Sequence, residues 1–192
     1  MAGSLYLLRH GESAWNQEDR FTGWADVPLT AEGEQEMREV AELLRGIRID
    51  RVYTSNLQRT LRSAEIVLAT LDIQPPPPVI ASADLRERFY GELEGQNKTE
   101  AASRYGAEQV RIWRRSYDVA PPGGESLRDA AARILPFTLN EILPHVQAGK
   151  NVLLCAHGNT LRVVRMHLEG LTPEAIMKLE VATGELKEYK VG

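Results

Sequence analysis

The chain has 192 residues, of which 43% are hydrophobic and 26% charged, and its formal net charge is −4 at pH 7. This balance predicts one globular domain over residues 1–192, and it argues against nonspecific nucleic-acid or membrane binding, which usually requires a basic surface. The single cysteine, Cys155, excludes an internal disulfide and a cysteine-based metal site. Because residues 1–8 show no signal-peptide pattern, we expect a cytoplasmic protein.

Taken in chain order, short apolar runs alternate with segments of helical period. Strands are predicted at residues 4–9, 51–54, 79–81, 151–156 and 185–191. Helices are predicted at residues 30–46, 57–68, 100–105, 108–115, 125–145 and 160–168. Residues 11–29 have no helical period and are predicted to form a long loop, which in a compact domain is often functional. Helix 57–68 should bury Leu57, Leu61, Ala64 and Leu68, and helix 125–145 should bend at Pro136.

The alternation predicts an α/β fold, a three-layer αβα sandwich around a mostly parallel sheet. In such sheets, ligands bind beyond the carboxyl ends of the strands. Three predicted strands end in chemically able residues: Arg9-His10-Gly11, Ser55 to Arg59, and His157-Gly158-Asn159. The sequence therefore predicts a site where these three strand ends meet.

His10 is the first candidate for chemistry. A neutral imidazole nitrogen is a competent nucleophile near pH 7, and attack on phosphorus would give a phosphohistidine. Arg9 offers a planar, bidentate fork for phosphate oxygens, and Gly11 lets the backbone approach a ligand closely. A lone histidine at a strand end more often just bonds to backbone, but the Arg-His-Gly context favours function.

His157 is the second candidate, because it precedes Gly158-Asn159 at a predicted helix start, where unpaired N–H groups favour an anion. It could donate a hydrogen bond to phosphoryl oxygens in the transition state. Metal binding is the rival use of two histidines. The four histidines show no metal-ligand spacing, so no metal is expected, and His145 and His167 are interpreted as surface or helix-end residues.

Arg59 and Glu87 are the next candidates. Arg59 begins a predicted helix, where a cation is unfavourable unless an anion lies nearby, although a solvated surface arginine is equally consistent. Arg62, one turn later, is the alternative candidate for the arginine that binds this anion. Glu87 could be a general acid or base, but Glu92 and Glu94 are equivalent by sequence, and a loop salt bridge is the commoner role.

A basic cluster of Lys98, Arg114 and Arg115 is the last candidate feature. These residues could bind a second anionic group, although such a pair of arginines usually forms a solvated face. The residues alone leave both interpretations open.

Several segments together resemble the histidine phosphatase superfamily and, more closely, its cofactor-dependent phosphoglycerate mutase family. The resemblance spans nearly the whole chain. Its segments are Leu8 to Asn16, Phe21 to Trp24, Ser55 to Thr60, Glu87 with Tyr90-Gly91, Asn97-Lys98, Arg114 to Asp118, Gly124 to Leu127 and Ala156 to Asn159. The Arg-His-Gly element indicates only the superfamily, whereas Asn-Lys and Arg-Arg-Ser-Tyr-Asp are typical of the mutase family.

The resemblance implies a phosphoglycerate mutase-like fold and interconversion of 3-phosphoglycerate and 2-phosphoglycerate, with 2,3-bisphosphoglycerate as primer and intermediate. It implies that His10 is the phosphorylated nucleophile, Glu87 the proton donor and acceptor, and His157 a transition-state donor, while Arg9 and Arg59 hold the transferring phosphate. The implied substrate-binding residues are Arg9, His10, Gly11, Glu12, Ser13, Asn16, Thr22, Gly23, Arg59, Glu87, Tyr90, Lys98, Arg114, Arg115, Gly158 and Asn159.

The chain departs from the family pattern in three places. A short bridge, Val119 to Gly123, replaces a longer insertion, Phe89 replaces a histidine, and the tail ends at Gly192. A shorter tail predicts weaker exclusion of water and a larger share of phosphatase activity. The alternatives are therefore a broad phosphomonoesterase and, less in keeping with the intact site, a non-catalytic binding protein. The oligomeric state is left open between monomer, homodimer and tetramer.

Overall fold

A computed structural model describes residues 3–191; Met1, Ala2 and Gly192, at the ends of the predicted domain, lie outside the described residues. The core is a five-stranded sheet with strand order β3-β2-β4-β1-β5. Its strands are β1 (Ser4–Arg9), β2 (Arg51–Ser55), β3 (Val79–Ser82), β4 (Val152–Ala156) and β5 (Leu186–Lys190). All five correspond to predicted strands, and β4 occupies the centre, as its wholly apolar sequence favours.

The pairing pattern confirms a mostly parallel sheet. β1 pairs in parallel with β4, with Leu7 opposite Leu154, and β2 is parallel to both β4 and β3. β5 runs antiparallel to β1 at one edge, with Leu7 opposite Lys187. The predicted edge strand is thus confirmed, and the carboxyl ends of β2, β4 and β1 lie side by side.

Helices connect the strands and cover both faces of the sheet. They are α1 (Ala14–Gln17), α2 (Ala31–Leu43), α3 (Gln58–Leu71), α4 (Lys98–Tyr105), α5 (Ala107–Arg115), α6 (Leu127–Phe137), α7 (Leu143–Gln147), α8 (Gly158–Glu169) and α9 (Pro173–Ile176). Side-chain caps mark several of their starts: Thr30 accepts from the Gly33 N–H before α2, and Ser126 forms a capping box with Asp129. Within residues 3–191, no helix is long and apolar enough to cross a membrane.

Alternation along β1 divides the core into two layers. Leu5 and Leu7 pack on one face with residues of α6 and α8, such as Ile134. Tyr6 and Leu8 pack on the other face with residues of α2 and α3, such as Met37. Because successive strand side chains point to opposite faces, one strand contributes to both layers. The three-layer αβα sandwich is therefore confirmed.

Two predictions, one for a helix and one for a loop, were wrong in detail. Leu61 was predicted to be buried but is 38% exposed, because the buried face of α3 is centred on Ser63, Ala64 and Val67 instead. The predicted loop 11–29 contains the short helix α1. One turn held by a capping box is too short to produce a helical period in the sequence.

The predicted helix 125–145 changes its geometry just after Pro136 but stays helical from Leu127 to Gln147. Pro136 lies near the end of α6, and a π-helical stretch, Thr138–Ile142, separates α6 from α7. Proline lacks the N–H that would continue the helical ladder, so a change of helical geometry near it is expected. The predicted helix is confirmed over most of its length, and the bend at Pro136 stays a prediction.

Candidate active site

The carboxyl ends of three neighbouring strands meet above one cavity, as the parallel topology requires. His10 directly follows β1, His157 directly follows β4, and Arg59 lies in the first turn of α3 after β2. The cavity has a volume of about 270 Å³. The predicted site residues that line it are Arg9, His10, Asn16, Thr22, Gly23, Arg59, Glu87, Tyr90, Lys98, Arg114, Arg115, Gly158 and Asn159.

His10 is 3% exposed, and one hydrogen bond fixes its ring. Its Nδ1 lies 2.7 Å from the carbonyl oxygen of Gly11. Because a carbonyl only accepts, Nδ1 carries the proton and Nε2 keeps the lone pair. Burial, followed by the charges of Arg59 and Arg9, holds the pKa of His10 well below its usual range. The imidazole is therefore neutral near pH 7, the form that can act as a nucleophile.

His157 is fully buried and does not itself line the cavity, but it lies against His10, with ring centroids 5.2 Å apart. Its Nε2 is 2.7 Å from the Oγ of Ser55, at the end of β2. Its Nδ1 is buried and has no hydrogen-bond partner within residues 3–191. If Ser55 donates to Nε2, the ring proton lies on Nδ1, which is then free to donate to a ligand oxygen. An unmatched buried nitrogen is costly, and a bound anion would satisfy it.

Two arginines flank the histidines. Arg59 is 1% exposed. Its Nη1 and Nη2 donate to the carbonyls of Ala25 and Gly23, both at 2.8 Å. One N–H on each nitrogen is left for an anion, because each terminal nitrogen carries two hydrogens. Burial lowers the pKa of Arg59 to about 10, so it stays charged at neutral pH. Arg9 donates from Nη1 to the Val181 carbonyl, and its Nε finds no partner in the described part of the chain.

Glu87 is positioned in the cavity wall by two backbone N–H groups. Oε1 accepts from the N–H of Arg88 at 2.6 Å, and Oε2 accepts from the N–H of Asn159 at 3.3 Å. The side-chain Nδ2 of Asn159 donates in turn to the Tyr90 hydroxyl at 3.2 Å. Glu87 therefore lies where a carboxyl group could exchange a proton with a ligand oxygen.

The alternatives to Arg59 and Glu87 lie elsewhere. Glu92 and Glu94 do not line the cavity, and Glu94 instead accepts from the backbone N–H of Trp24 at 2.6 Å. Arg62 is on the exposed face of α3, where it pairs with Glu34 at 2.8 Å. The structure thus separates residues that the sequence left equivalent.

A second group of cations lines the outer part of the cavity wall. We call His10, His157, Arg9, Arg59 and Glu87 the reaction centre, and Lys98, Arg114 and Arg115 the outer basic set. Lys98 Nζ lies 2.8 Å from Asp19 Oδ1, and Arg115 pairs with Glu180. The side chains of Lys98 and Arg115 are 24% and 27% exposed. An incoming anion would compete with these carboxylates.

Arg88, which sequence reasoning did not single out, positions the outer basic set. It is fully buried, and its Nη1 and Nη2 donate to the carbonyls of Trp113 and Arg114 at the end of α5, at 2.8 and 3.1 Å. Nη2 also lies 3.2 Å from the Tyr90 hydroxyl. Nothing in the sequence distinguishes Arg88 from its neighbour Arg86, because its role depends on how α5 packs.

Three predicted substrate-binding residues do not line the cavity. A Cβ on Gly11 would collide with the carbonyl oxygen of Gly33, so Gly11 permits close packing against α2. The Glu12 N–H donates to Glu36 Oε2 at 2.9 Å, and the buried Ser13 caps α1. These residues hold the loop after β1 in place behind the reaction centre.

Five further residues line the cavity that were not among the predicted site residues. They are Arg20, Phe21, Arg162, Glu180 and Val181. His145 and His167 lie in the last turns of α7 and α8 and do not line it, as expected. No cluster of three or more His, Cys, Asp or Glu side chains suited to a metal ion occurs between residues 3 and 191.

Comparison with known proteins places these residues in context. The profile of the histidine phosphatase superfamily (branch 1) matches residues 5–192. The chain is 51% identical over 189 residues to a 2,3-bisphosphoglycerate-dependent phosphoglycerate mutase of Methylobacterium sp. (strain 4-46), covering 97% of this chain and 90% of that protein. It is 50% identical over 182 residues to a phosphoglycerate mutase of Schizosaccharomyces pombe, covering 94% and 86%.

A solved structure supplies the corresponding fold. The alpha-ribazole phosphatase from Shigella flexneri superposes with a TM-score of 0.83 at 26% identity, covering 98% of this chain and 91% of that one. The sequence relatives and the structural neighbour therefore share one superfamily but carry different names. The chain belongs to the histidine phosphatase superfamily and, within it, to the 2,3-bisphosphoglycerate-dependent phosphoglycerate mutases.

Proposed function

We propose that the protein interconverts 3-phosphoglycerate and 2-phosphoglycerate by passing a phosphoryl group through His10. The observation that carries this proposal is that one cavity holds both a buried neutral histidine and two separate sets of cations. A phosphomonoesterase requires only the cations around the transferring group. A ligand with two anionic ends also requires the outer basic set.

His10 is the proposed nucleophile. The Nε2 lone pair attacks phosphorus, the bond from phosphorus to the substrate oxygen breaks, and a phosphohistidine forms. The free N–H groups of Arg9 and Arg59, together with the Nδ1–H that His157 carries when Ser55 donates to its Nε2, would stabilise charge on the phosphoryl oxygens. Since these donors are already oriented by the fold, little reorganisation is needed during transfer.

Glu87 is the proposed proton carrier. As the bond to phosphorus breaks, the Glu87 carboxyl gives its proton to the departing substrate oxygen. In the return step, a substrate hydroxyl gives its proton to the Glu87 carboxylate while its oxygen attacks the phosphohistidine and the N–P bond breaks. The two backbone N–H bonds to Glu87 fix its position for both steps.

The residues also fit 2,3-bisphosphoglycerate as primer and intermediate. The buried Nε of Arg9 and Nδ1 of His157, which lack partners in the described chain, are donors suited to one phosphoryl group. Lys98, Arg114 and Arg115 supply charge for the second phosphoryl group and the carboxylate. We propose a cytoplasmic, metal-independent reaction of glycolysis and gluconeogenesis, carried out by one catalytic domain.

A broad phosphomonoesterase is the second candidate, favoured by the phosphatase name of the structural neighbour and by the short bridge 119–123. It predicts release of phosphate from many esters, without dependence on the outer basic set. This chain covers 90% of the mutase relative in Methylobacterium, so a protein of similar length also carries the mutase name.

An enolase-coupled assay tests the proposal. With 3-phosphoglycerate and a trace of 2,3-bisphosphoglycerate, we expect steady formation of phosphoenolpyruvate that slows when the bisphosphate is removed. Circular dichroism on the same sample establishes that the protein is folded. Folded protein that does not turn over 3-phosphoglycerate would contradict the proposed function.

A further inference from the structure

Arg162 is a buried arginine whose side chain reaches the cavity. It lies on α8, five residues after His157, is 5% exposed, and lines the cavity beside Asn159. The proposed mechanism does not use it. Since an arginine is rarely buried without a partner, its surroundings indicate what it is for.

The partners of Arg162 are neutral oxygens. Nη1 donates to Oδ1 of Asn159 at 2.7 Å, and Nη2 donates to the carbonyl of Ile176 at 2.6 Å. The Nε is buried without a partner, and no carboxylate in residues 3–191 lies within ion-pair distance of the guanidinium. Burial, followed by the nearby charges of Arg88 and Arg115, lowers the pKa of Arg162 to about 10, so it remains a cation.

Arg165, one turn later on the same helix, has the opposite arrangement. It is also buried, at 8% exposure, but it pairs with Glu169 and Glu185, both at 3.0 Å. It does not line the cavity. A buried guanidinium without a carboxylate is unfavourable, and of these two arginines of α8 only Arg162, which lines the cavity, lacks the compensating charge. A ligand anion would supply it.

The bond to Asn159 also orients a group beside the reaction centre. Because the guanidinium only donates, it holds Oδ1 of Asn159 toward itself. Nδ2 then faces the other way and donates one hydrogen to the Tyr90 hydroxyl at 3.2 Å. If the amide were flipped, the Nδ2 hydrogens of Asn159 would face the Nη1 hydrogens of Arg162, and no hydrogen bond could form between them. Asn159 can therefore offer a ligand only hydrogen-bond donors, which suits an anion.

We infer that Arg162 is a further ligand-binding residue, which meets an anionic oxygen at the end of the ligand remote from His10 and fixes the amide of Asn159. The inference rests on the proposed function for the identity of that ligand, a phosphoglycerate. It is supported by a chain of hydrogen bonds that runs from Arg162 through Asn159, Tyr90 and Arg88 to the carbonyl of Arg114 in the outer basic set.

The competing explanation is structural, since Arg162 also ties α8 to the carbonyl of Ile176 in α9. The two explanations differ in selectivity. A ligand-binding role affects only ligands long enough to reach the remote end, whereas a structural role alters stability or affects every ligand equally.

Calorimetric titration of Arg162→Met with two probes separates these explanations. We expect its Kd for 2,3-bisphosphoglycerate to rise at least about tenfold, because one charged hydrogen bond is lost. Its Kd for orthovanadate, which occupies only the reaction centre, should change less than about twofold. In Arg165→Met, the matched control, both affinities should be unchanged while the Tm falls. Unchanged binding of 2,3-bisphosphoglycerate to Arg162→Met, or equal weakening of both probes, would overturn the inference.

Arg162→Lys keeps the test decisive if Arg162→Met does not fold. Lysine retains the charge but not the planar fork, so the Kd for 2,3-bisphosphoglycerate should rise about three- to tenfold. In a double-mutant cycle, the Kd for 2,3-bisphosphoglycerate of the variant that carries both Arg162→Lys and Asn159→Ala should rise by less than the product of the fold-changes of the two single variants. If the Kd of Arg162→Lys equals that of the wild type, the inference is contradicted.

These outcomes are distinct from failure of the proposed function. If the wild-type protein binds 2,3-bisphosphoglycerate but does not turn over 3-phosphoglycerate, the mutase proposal fails while the selectivity of Arg162 can still be measured. If turnover is normal and Arg162→Met binds both probes like the wild type, only the inference about Arg162 fails.

Discussion

The reaction centre and the outer basic set present two kinds of cationic surface in one cavity. Arg59 and His157 are almost fully buried, and their orientations are fixed by carbonyls and by Ser55. Lys98 and Arg115 are partly exposed and are paired with carboxylates. Buried donors keep their full electrostatic effect, whereas exposed ion pairs are weakened by solvent.

The difference assigns separate tasks to the two regions. The reaction centre is organised before ligand binds, so we expect it to determine the rate of phosphoryl transfer. When a ligand binds, the outer basic set exchanges its protein carboxylates for the anionic groups of the ligand. We therefore expect it to determine which ligand is accepted. Variants in the first region should reduce kcat, and variants in the second should mainly raise KM.

The largest effect should follow replacement of the nucleophile. His10→Ala should reduce turnover by more than about 10³-fold and abolish acid-labile ³²P labelling from 2,3-bisphosphoglycerate. His145→Ala, at the end of α7, is the matched control and should label like the wild type. Persistent labelling of folded His10→Ala would mean that another residue carries the phosphoryl group.

The second largest effect should separate the two regions. Arg115→Ala should lower kcat/KM for 3-phosphoglycerate about 10- to 100-fold, the usual effect of losing a hydrogen bond to a charged group. Phosphate release from a small monoester such as p-nitrophenyl phosphate should not fall. Arg111→Ala removes an exposed arginine of the same helix, paired with Glu108, and should change neither rate. Equal loss in both assays of Arg115→Ala would mean that the two regions do not act separately.

Much of this comparison could be predicted from sequence, because parallel strands bring their carboxyl ends to one edge. His10, Arg59 and His157 were placed together by that rule alone. The roles of Arg88 and Arg162 could not be predicted, because they depend on how α5 and α8 pack and rotate. The resemblance implied that Glu12 and Ser13 bind substrate, yet the chain turns away from the cavity there.

The selection of Glu87 also required more than spacing. Spacing alone left three carboxylates equivalent, and the resemblance favoured Glu87. In the structure, the N–H groups of Arg88 and of Asn159, at the start of α8, hold Glu87 in the cavity wall. The exposure of Leu61 was also not predictable from spacing. Its spacing suits a buried face, but the rotation of α3 against the sheet exposes it.

A third prediction concerns stability in acid. His10 and His157 have native-state pKa values below those of the unfolded chain, mainly because they are buried. Below about pH 6.5 the unfolded state therefore binds more protons, and stability falls as the pH falls. The fall is at most about 1.4 kcal/mol per pH unit for each histidine.

Urea unfolding between about pH 5 and 6.5 measures this slope. His157→Asn removes one of the two buried imidazoles and should reduce the slope, while His167→Asn, at an exposed position, should leave it unchanged. An unchanged slope in His157→Asn would mean that burial does not hold the native His157 in its neutral form over this pH range.

The smallest predicted effect lies at the rim of the cavity. Glu180→Gln removes the carboxylate that pairs with Arg115, so the ligand no longer has to displace it. We expect the Kd for 2,3-bisphosphoglycerate to fall about two- to fivefold, in keeping with the modest strength of exposed ion pairs. Glu174→Gln, in the neighbouring helix α9, serves as control. Weaker binding by Glu180→Gln would indicate that the pair holds Arg115 in its binding position.

The ratio of mutase to phosphatase rates, measured on one sample, tests the central claim most directly. Enolase coupling reports the formation of 2-phosphoglycerate, and a phosphate assay reports water attack on the phosphohistidine. If the two cation sets act together on one bisphosphorylated ligand, mutase turnover should exceed phosphate release by at least about 10²-fold, equivalent to about 2.7 kcal/mol between the two barriers. Phosphate release equal to or faster than mutase turnover would contradict this account.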